Sequence, residues 1–207
     1  MKALFPSFAP PGKWRNSGQS KKLEGGEWKT LRQRILACDN FTCAYCGYRS
    51  DKYQIVDHID GDPENNSDSN FQIVCQMCNL VKHSGQGCVI QGVVDLYQEA
   101  KFSQSDIIRI TREMHDRGST DTKIIAFLGL KNKVPFKMDR EHLRKLFGFV
   151  TSRTDGAGDM YKSWVKYHQR FLNKTNTNIP IRKSASLNKF VRDVHKESEH
   201  SSKEIRI

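Results

Sequence analysis

The sequence predicts an α+β fold: a small strand–loop–strand–helix unit stapled by a metal, followed by a mainly α-helical C-terminal region. Three observations carry this. Two C-x2-C pairs, Cys43/Cys46 and Cys75/Cys78, are separated by 28 residues. Between and after them lie two short strand-like runs and a short helical one. From residue 103 onward the apolar residues recur mostly at helical spacing.

Taken in order, residues 1–25 are rich in Pro, Gly and Ser and read as an extended N-terminal arm with few long-range contacts. Lys13, Arg15, Lys21 and Lys22 read there as solvated side chains. Residues 26–90 form the metal-stapled unit. Trp28, Leu31, Ile35 and Leu36 place an apolar stripe on a helix from Glu27 to Ala37, ended by Asp39-Asn40. Gln54 to Ile59 and Phe71 to Val74 read as paired strands, joined by a loop of turn formers at 61–69. Asn79 to His83 then runs as a short helix with Asn79 and His83 on one face.

Residues 91–173 read as a helical region, either DNA-binding or a small helical bundle with a solvated basic face. Val89-Ile90 and Val93-Val94 suggest a short strand pair or an extended return. Ser103-Gln104-Ser105-Asp106 opens a helix that stops at Arg117-Gly118. A second helix, capped by Ser119 or Thr120, runs to Leu128 and stops at Gly129. A third begins near Asp139 and carries Leu143, Leu146 and Phe147. Asp159 to Asn173 gives a further amphipathic helix, and 174–207 a basic, loosely ordered tail.

The four thiols point to structural Zn2+. Two C-x2-C knuckles can wrap one zinc ion tetrahedrally, and thiolate is a favoured zinc ligand. Disulfides are the weaker alternative, because the chain shows no secretory signal. A redox role is disfavoured by the presence of two such pairs without a thioredoxin-like pattern. Of six cysteines, Cys38 and Cys88 are left over and read as reduced and structural.

The residues Cys43/Cys46, Asp57-His58, Asn70, Cys75/Cys78, Asn79 and Lys82 together resemble the HNH nuclease motif, the ββα-metal fold in its zinc-stapled, H-N-N form. The resemblance covers about residues 28–85. It implies His58 as the general base activating water, with Asn70 pinning the loop and orienting His58. It implies Asp57 and Asn79 as ligands of one catalytic divalent cation, with His83 as a third ligand or else a solvated helix end. The frame up to about residue 115 is also similar to the HNH-like component of type IVB secretion coupling complexes, where a zinc scaffold serves protein contacts and the catalytic pair is missing. The run of helices after residue 103 resembles the helix-turn-helix-like segments that accompany phage and mobile-element HNH nucleases.

The chemistry is consistent with a nuclease. Phosphodiester hydrolysis needs an activated nucleophile and neutralisation of charge on the leaving oxygen. An unperturbed imidazole suits the first task near neutral pH. A carboxylate and a carboxamide suit Mg2+ or Mn2+, and participation of His83 would extend tolerance to Ni2+, Co2+ or Zn2+. The formal net charge of +11 favours a polyanionic partner such as double-stranded DNA. Residues 1–90 carry 11 basic and 9 acidic groups, whereas residues 91–207 carry 23 and 14. Lys82, Lys131, Lys133, Lys137, Arg140, Arg144 and Lys145 are therefore the candidate DNA-binding residues. No apolar run reaches membrane-spanning length, so no membrane partner is expected and the reading is of a soluble, intracellular (cytoplasmic) protein. The leading functional expectation is a metal-dependent DNA endonuclease; its alternative is a non-catalytic zinc scaffold in a secretion assembly, and a third possibility is a zinc-ribbon DNA-binding module with a degenerate site.

Overall fold

A computed structural model describes residues 1–8, 25–52, 54–86, 88–89 and 91–152. The expected helix at 159–173, the tail at 174–207, and Lys13, Arg15, Lys21 and Lys22 lie outside the described residues.

The α+β class is observed. Helix α1 (Gly25–Cys38) precedes the first knuckle. Its chain reverses through Asn40 and Phe41, both at positive φ (49° and 53°). That reversal is closed by the Phe41 amide donating to the Leu36 carbonyl at 2.8 Å. The knuckle itself turns at Gly47, whose φ of 73° explains a glycine directly after Cys46. Strands β1 (Gln54–His58) and β2 (Phe71–Cys75) pair antiparallel, with Asp57 opposite Gln72 and His58 opposite Phe71. Helix α2 (Gln76–Lys82) follows β2 without a break. The predicted ββα unit is thus present.

Downstream, β3 (Val94–Glu99) is the centre of a three-stranded antiparallel sheet, flanked by β4 (Lys131–Val134) and β5 (Phe147–Val150) in the order β4-β3-β5. Helices α3 (Gln104–Asp116) and α4 (Asp121–Leu128) connect β3 to β4, and the short α5 (Arg140–Arg144) precedes β5. Ser103 caps α3 by accepting from the Asp106 amide, and Gly129 ends α4 at a left-handed φ of 64°. The sheet is the main addition to what the sequence suggested. Of the strand pair or extended return suggested at Val89-Ile90 and Val93-Val94, Val94 opens β3, and Ile90 lies outside the described residues. The expected third helix is shortened to five residues, because Phe147 to Val150 leaves helical geometry to pair with β3.

One apolar cluster joins the two halves. Val74, Leu80, Val81 and the buried cysteines of the ββα unit share it with Val94, Leu96, Ile108, Leu143, Leu146 and Val150. Gly148 lies against Val81, where a Cβ would come within 2.9 Å of its side chain, so β5 and α2 are in direct contact. A second cluster centres on Ile107, Ile124, Leu128 and Phe149, and a third packs α1 on β1 and β2 through Leu36, Val56, Phe71 and Ile73.

Residues 1–8 correct the expectation of an arm with few long-range contacts. They form no helix or strand, yet Leu4 is buried in the shared cluster. The Lys2 amide donates to the Ala44 carbonyl at 2.8 Å, and the Gly85 amide to the Ser7 carbonyl at 3.1 Å. Leu4 and Phe8, both packed on this cluster, were the available signal, whereas Phe5 is exposed.

Candidate metal centre and motif residues

The first knuckle presents Cys43 and Cys46 from a turn held by amide-to-carbonyl bonds from Gly47 to Cys43 (3.0 Å) and from Cys43 to Tyr48 (2.9 Å). Cys75 ends β2 and occupies the N-cap position of α2, and Cys78 lies in that helix. All four are buried, and their sulfurs lie within 4.8 Å of one another. The sulfurs of Cys46 and Cys75 are 3.7 Å apart. A tetrahedral site with Zn–S bonds of about 2.3 Å requires sulfur separations of about 3.8 Å. The donor set therefore fits one zinc ion with no position left open, the pattern of a structural site. Cys38 is exposed and unpaired by disulfide, and Cys88 is buried, its thiol pushed up to about 12 by burial.

Arg112, which the sequence reading did not single out, reaches this centre from α3. Its Nη2 donates to Cys75 Sγ at 3.0 Å, and its Nη1 lies 3.9 Å from Cys46 Sγ. Its guanidinium carbon stands 3.8 Å over the Tyr48 ring centroid. No local pattern flags an arginine contributed from so far along the chain.

The HNH-motif residues occupy the other end of the hairpin. Strand alternation turns Asp57 and His58 to opposite faces. Asp57 faces α2. Its Oδ2 accepts from Lys82 Nζ and from Gln72 Nε2 (3.0 Å), and its Oδ1 lies 3.2 Å from His83 Nε2. Lys82 Nζ also donates to the His58 carbonyl at 2.6 Å. Gln72 bonds in turn to the Tyr45 hydroxyl and accepts from Lys2 Nζ, and Ser7 Oγ caps the Lys82 carbonyl. The N-terminal segment therefore runs along this polar cluster. Burial works to raise the Asp57 carboxyl, but the His83 imidazole and the Lys82 ammonium outweigh it and hold it at about 2. Gln72, a polar residue between apolar neighbours on a strand buried throughout, was the sequence signal for this network.

His58 faces the other way. Its ring centroid is 4.9 Å from that of Phe71, and its Nε2 lies 3.2 Å from Asn66 Oδ1. Asn70 pins the loop: its Nδ2 donates to Asp60 Oδ1 (2.9 Å) and the Asn65 carbonyl (2.8 Å), and its Oδ1 accepts from the Asp60 amide (3.1 Å). The carboxamide in contact with His58 is thus that of Asn66. Asn79 is half-buried on α2, and Lys82 and His83 are the α2-end residues in contact with Asp57.

The remaining candidate DNA-binding residues are exposed and lie on different elements. Lys131 and Lys133 lie on β4, and Lys133 pairs with Asp95 at 2.7 Å. Lys137 lies in the following loop, Arg140 and Arg144 on α5, and Lys145 just beyond it. Arg140 stacks over Phe8 at 5.5 Å. Because β4 intervenes between α4 and a five-residue α5, these side chains are not presented along one groove-length helix. No helix among the described residues is long and apolar enough to cross a membrane.

No known family profile matches the chain. It is similar to the type 4 apparatus protein DotN of Legionella pneumophila, with 37% identity over 71 residues. The matched stretch covers 34% of this chain and 32% of that relative, so the similarity spans about a third of each protein.

Proposed function

We propose that this chain is a zinc-stapled, non-catalytic component of a type IV apparatus, its ββα unit serving as a scaffold for protein contacts. The observation that carries this reading is the state of Asp57. The carboxylate that would hold a catalytic cation is buried, paired with the Lys82 ammonium and in contact with the His83 imidazole. Both of its oxygens are engaged, and the candidate base His58 is turned to the opposite face. The similarity to DotN supports an apparatus role for the matched third. In such a component, Cys43, Cys46, Cys75 and Cys78 hold zinc, which supplies tetrahedral cross-linking of the two knuckles when bound.

A second reading, a metal-dependent DNA endonuclease, is favoured by one observation. His83 Nδ1 is buried without a hydrogen-bond partner among the described residues, so this imidazole is not fully committed. In that reading Asp57, Asn79 and His83 would hold Mg2+, Mn2+ or Ni2+, and His58 would take the proton from water.

Plasmid nicking separates the two. The purified protein and His58→Ala are incubated with supercoiled DNA in Mg2+, Mn2+ or Ni2+. The scaffold reading expects no difference between them while zinc stays bound. Metal-dependent cutting that disappears in His58→Ala would replace it with the nuclease reading.

A further inference from the structure

A zinc ion held by four thiolates carries a net formal charge of two negatives. Here that charge is buried, with every cysteine of the set at most 2% exposed. Buried charge requires compensation by a partner of opposite sign or by hydrogen bonds. Arg112 supplies both. Its guanidinium donates to Cys75 Sγ and faces Cys46 Sγ, one sulfur from each knuckle. The Tyr48 ring beneath it fixes its plane. Nearby cations are engaged elsewhere: Arg109 pairs with Asp106, and Arg117 with Glu113 at 2.5 Å. Stacking on Tyr48 alone would not require a 3.0 Å approach to sulfur, so simple packing of a long side chain does not account for the geometry.

The same helix makes a second contact with the knuckle. Ser105 Oγ, two turns earlier on α3, donates to the Tyr45 carbonyl at 2.9 Å. We propose that Arg112 is a positioning residue of the zinc centre: its guanidinium bridges the Cys46 and Cys75 thiolates, offsets part of their charge and latches α3 to the metal site. Metal affinity and docking of α3 are then linked, because loss of the ion removes the anionic partner that Arg112 binds. The proposal rests on the four-thiolate site and is independent of whether the chain is a scaffold or a nuclease.

The test uses the full chain loaded with Zn2+ or Co2+, comparing wild type with Arg112→Ala, Arg112→Lys and the control Arg109→Ala. Outer-shell partners of metal ligands typically contribute about 10–100-fold in affinity. Arg112→Ala is expected to weaken zinc binding by about 10-fold or more in chelator competition. It should also move the thiolate-to-cobalt absorption to longer wavelength, since a sulfur that loses a hydrogen-bond donor is more electron-rich. Arg112→Lys, which keeps the charge without the fork, should fall between wild type and Arg112→Ala, and Arg109→Ala should match wild type. Circular dichroism identifies the folded variants; if Arg112→Ala does not fold, Arg112→Lys carries the comparison. A folded variant with wild-type affinity and an unshifted cobalt band overturns the role of Arg112. A wild-type chain that takes up neither metal overturns the four-thiolate site itself.

Discussion

The two polar clusters flanking the β1–β2 hairpin handle buried charge in opposite ways. At one end four thiols converge with, among the described residues, a single guanidinium at the edge as counter-cation, so the cluster is complete only with a metal. At the other end a carboxylate meets an ammonium and an imidazole from its own chain and is complete without one. Both ends consist of residue types that ligate metals. What separates them is whether the fold already provides the positive charge.

The contrast breaks most sharply at the thiol end. Cys78→Ser, or removal of zinc by a strong chelator, should unfold the ββα unit. Structural zinc in small domains contributes about 10–16 kcal/mol of apparent binding free energy at neutral pH. Thermal melting with and without chelator checks this, and a Tm that does not respond to chelator would remove zinc from the account.

At the other end, Lys82→Met leaves the Asp57 carboxylate buried with one partner fewer and should cost about 3–5 kcal/mol in urea unfolding. The double variant Asp57→Leu with Lys82→Met should recover much of that loss, because apolar replacement of a buried pair is often neutral. A double variant as unstable as Lys82→Met alone would mean the carboxylate has another task.

The pH dependence gives a smaller effect with a defined sign. Asp57 is held at about 2 against an ordinary value of 3.8. A depressed carboxyl stabilises the fold above pH 3.8, and this contribution is lost as pH falls through about 2. Its size is about 2 kcal/mol. Acid also strips zinc from its thiolates, so the contribution is read with zinc bound at neutral pH, where Asp57→Asn should be less stable than wild type by about 2 kcal/mol in urea unfolding.

The smallest effect belongs to the loop. Asn70→Ala removes the bonds to the Asp60 amide, the Asp60 carboxylate and the Asn65 carbonyl. A cost of about 1–2 kcal/mol is expected, with faster hydrogen exchange at the Asp60 amide as its local signature. Unchanged exchange there would assign the loop's order to other contacts.

The ββα unit was legible because its determinants are local. Cysteine spacing, a turn-rich loop and two short apolar strands each declare themselves within a few residues. The second sheet was not legible, because its strands look like other things in isolation. β4 reads Lys-Asn-Lys-Val, with three of four residues exposed. β5 continues the helical spacing of Leu143 and Leu146, and only its pairing with β3, some 50 residues earlier, takes it out of helix. The polar cluster was half legible. Asp57, Lys82 and His83 were each singled out, but which of them would touch could not be read from spacing. Whether Lys82 meets a phosphate or a carboxylate depends on a side-chain direction that only the packed hairpin defines.

The lysines of β4 have a further consequence, in the language of self-association. Among the described residues β4 is an edge of its sheet, and an uncapped edge invites pairing with another copy of the chain. Here that edge carries Lys131 and Lys133, both exposed, around Asn132 at a positive φ of 56°. Paired charges and a kinked backbone make poor templates for a further strand. The same residues that suggested a nucleic-acid partner give this edge the charges that disfavour edge-to-edge pairing between copies.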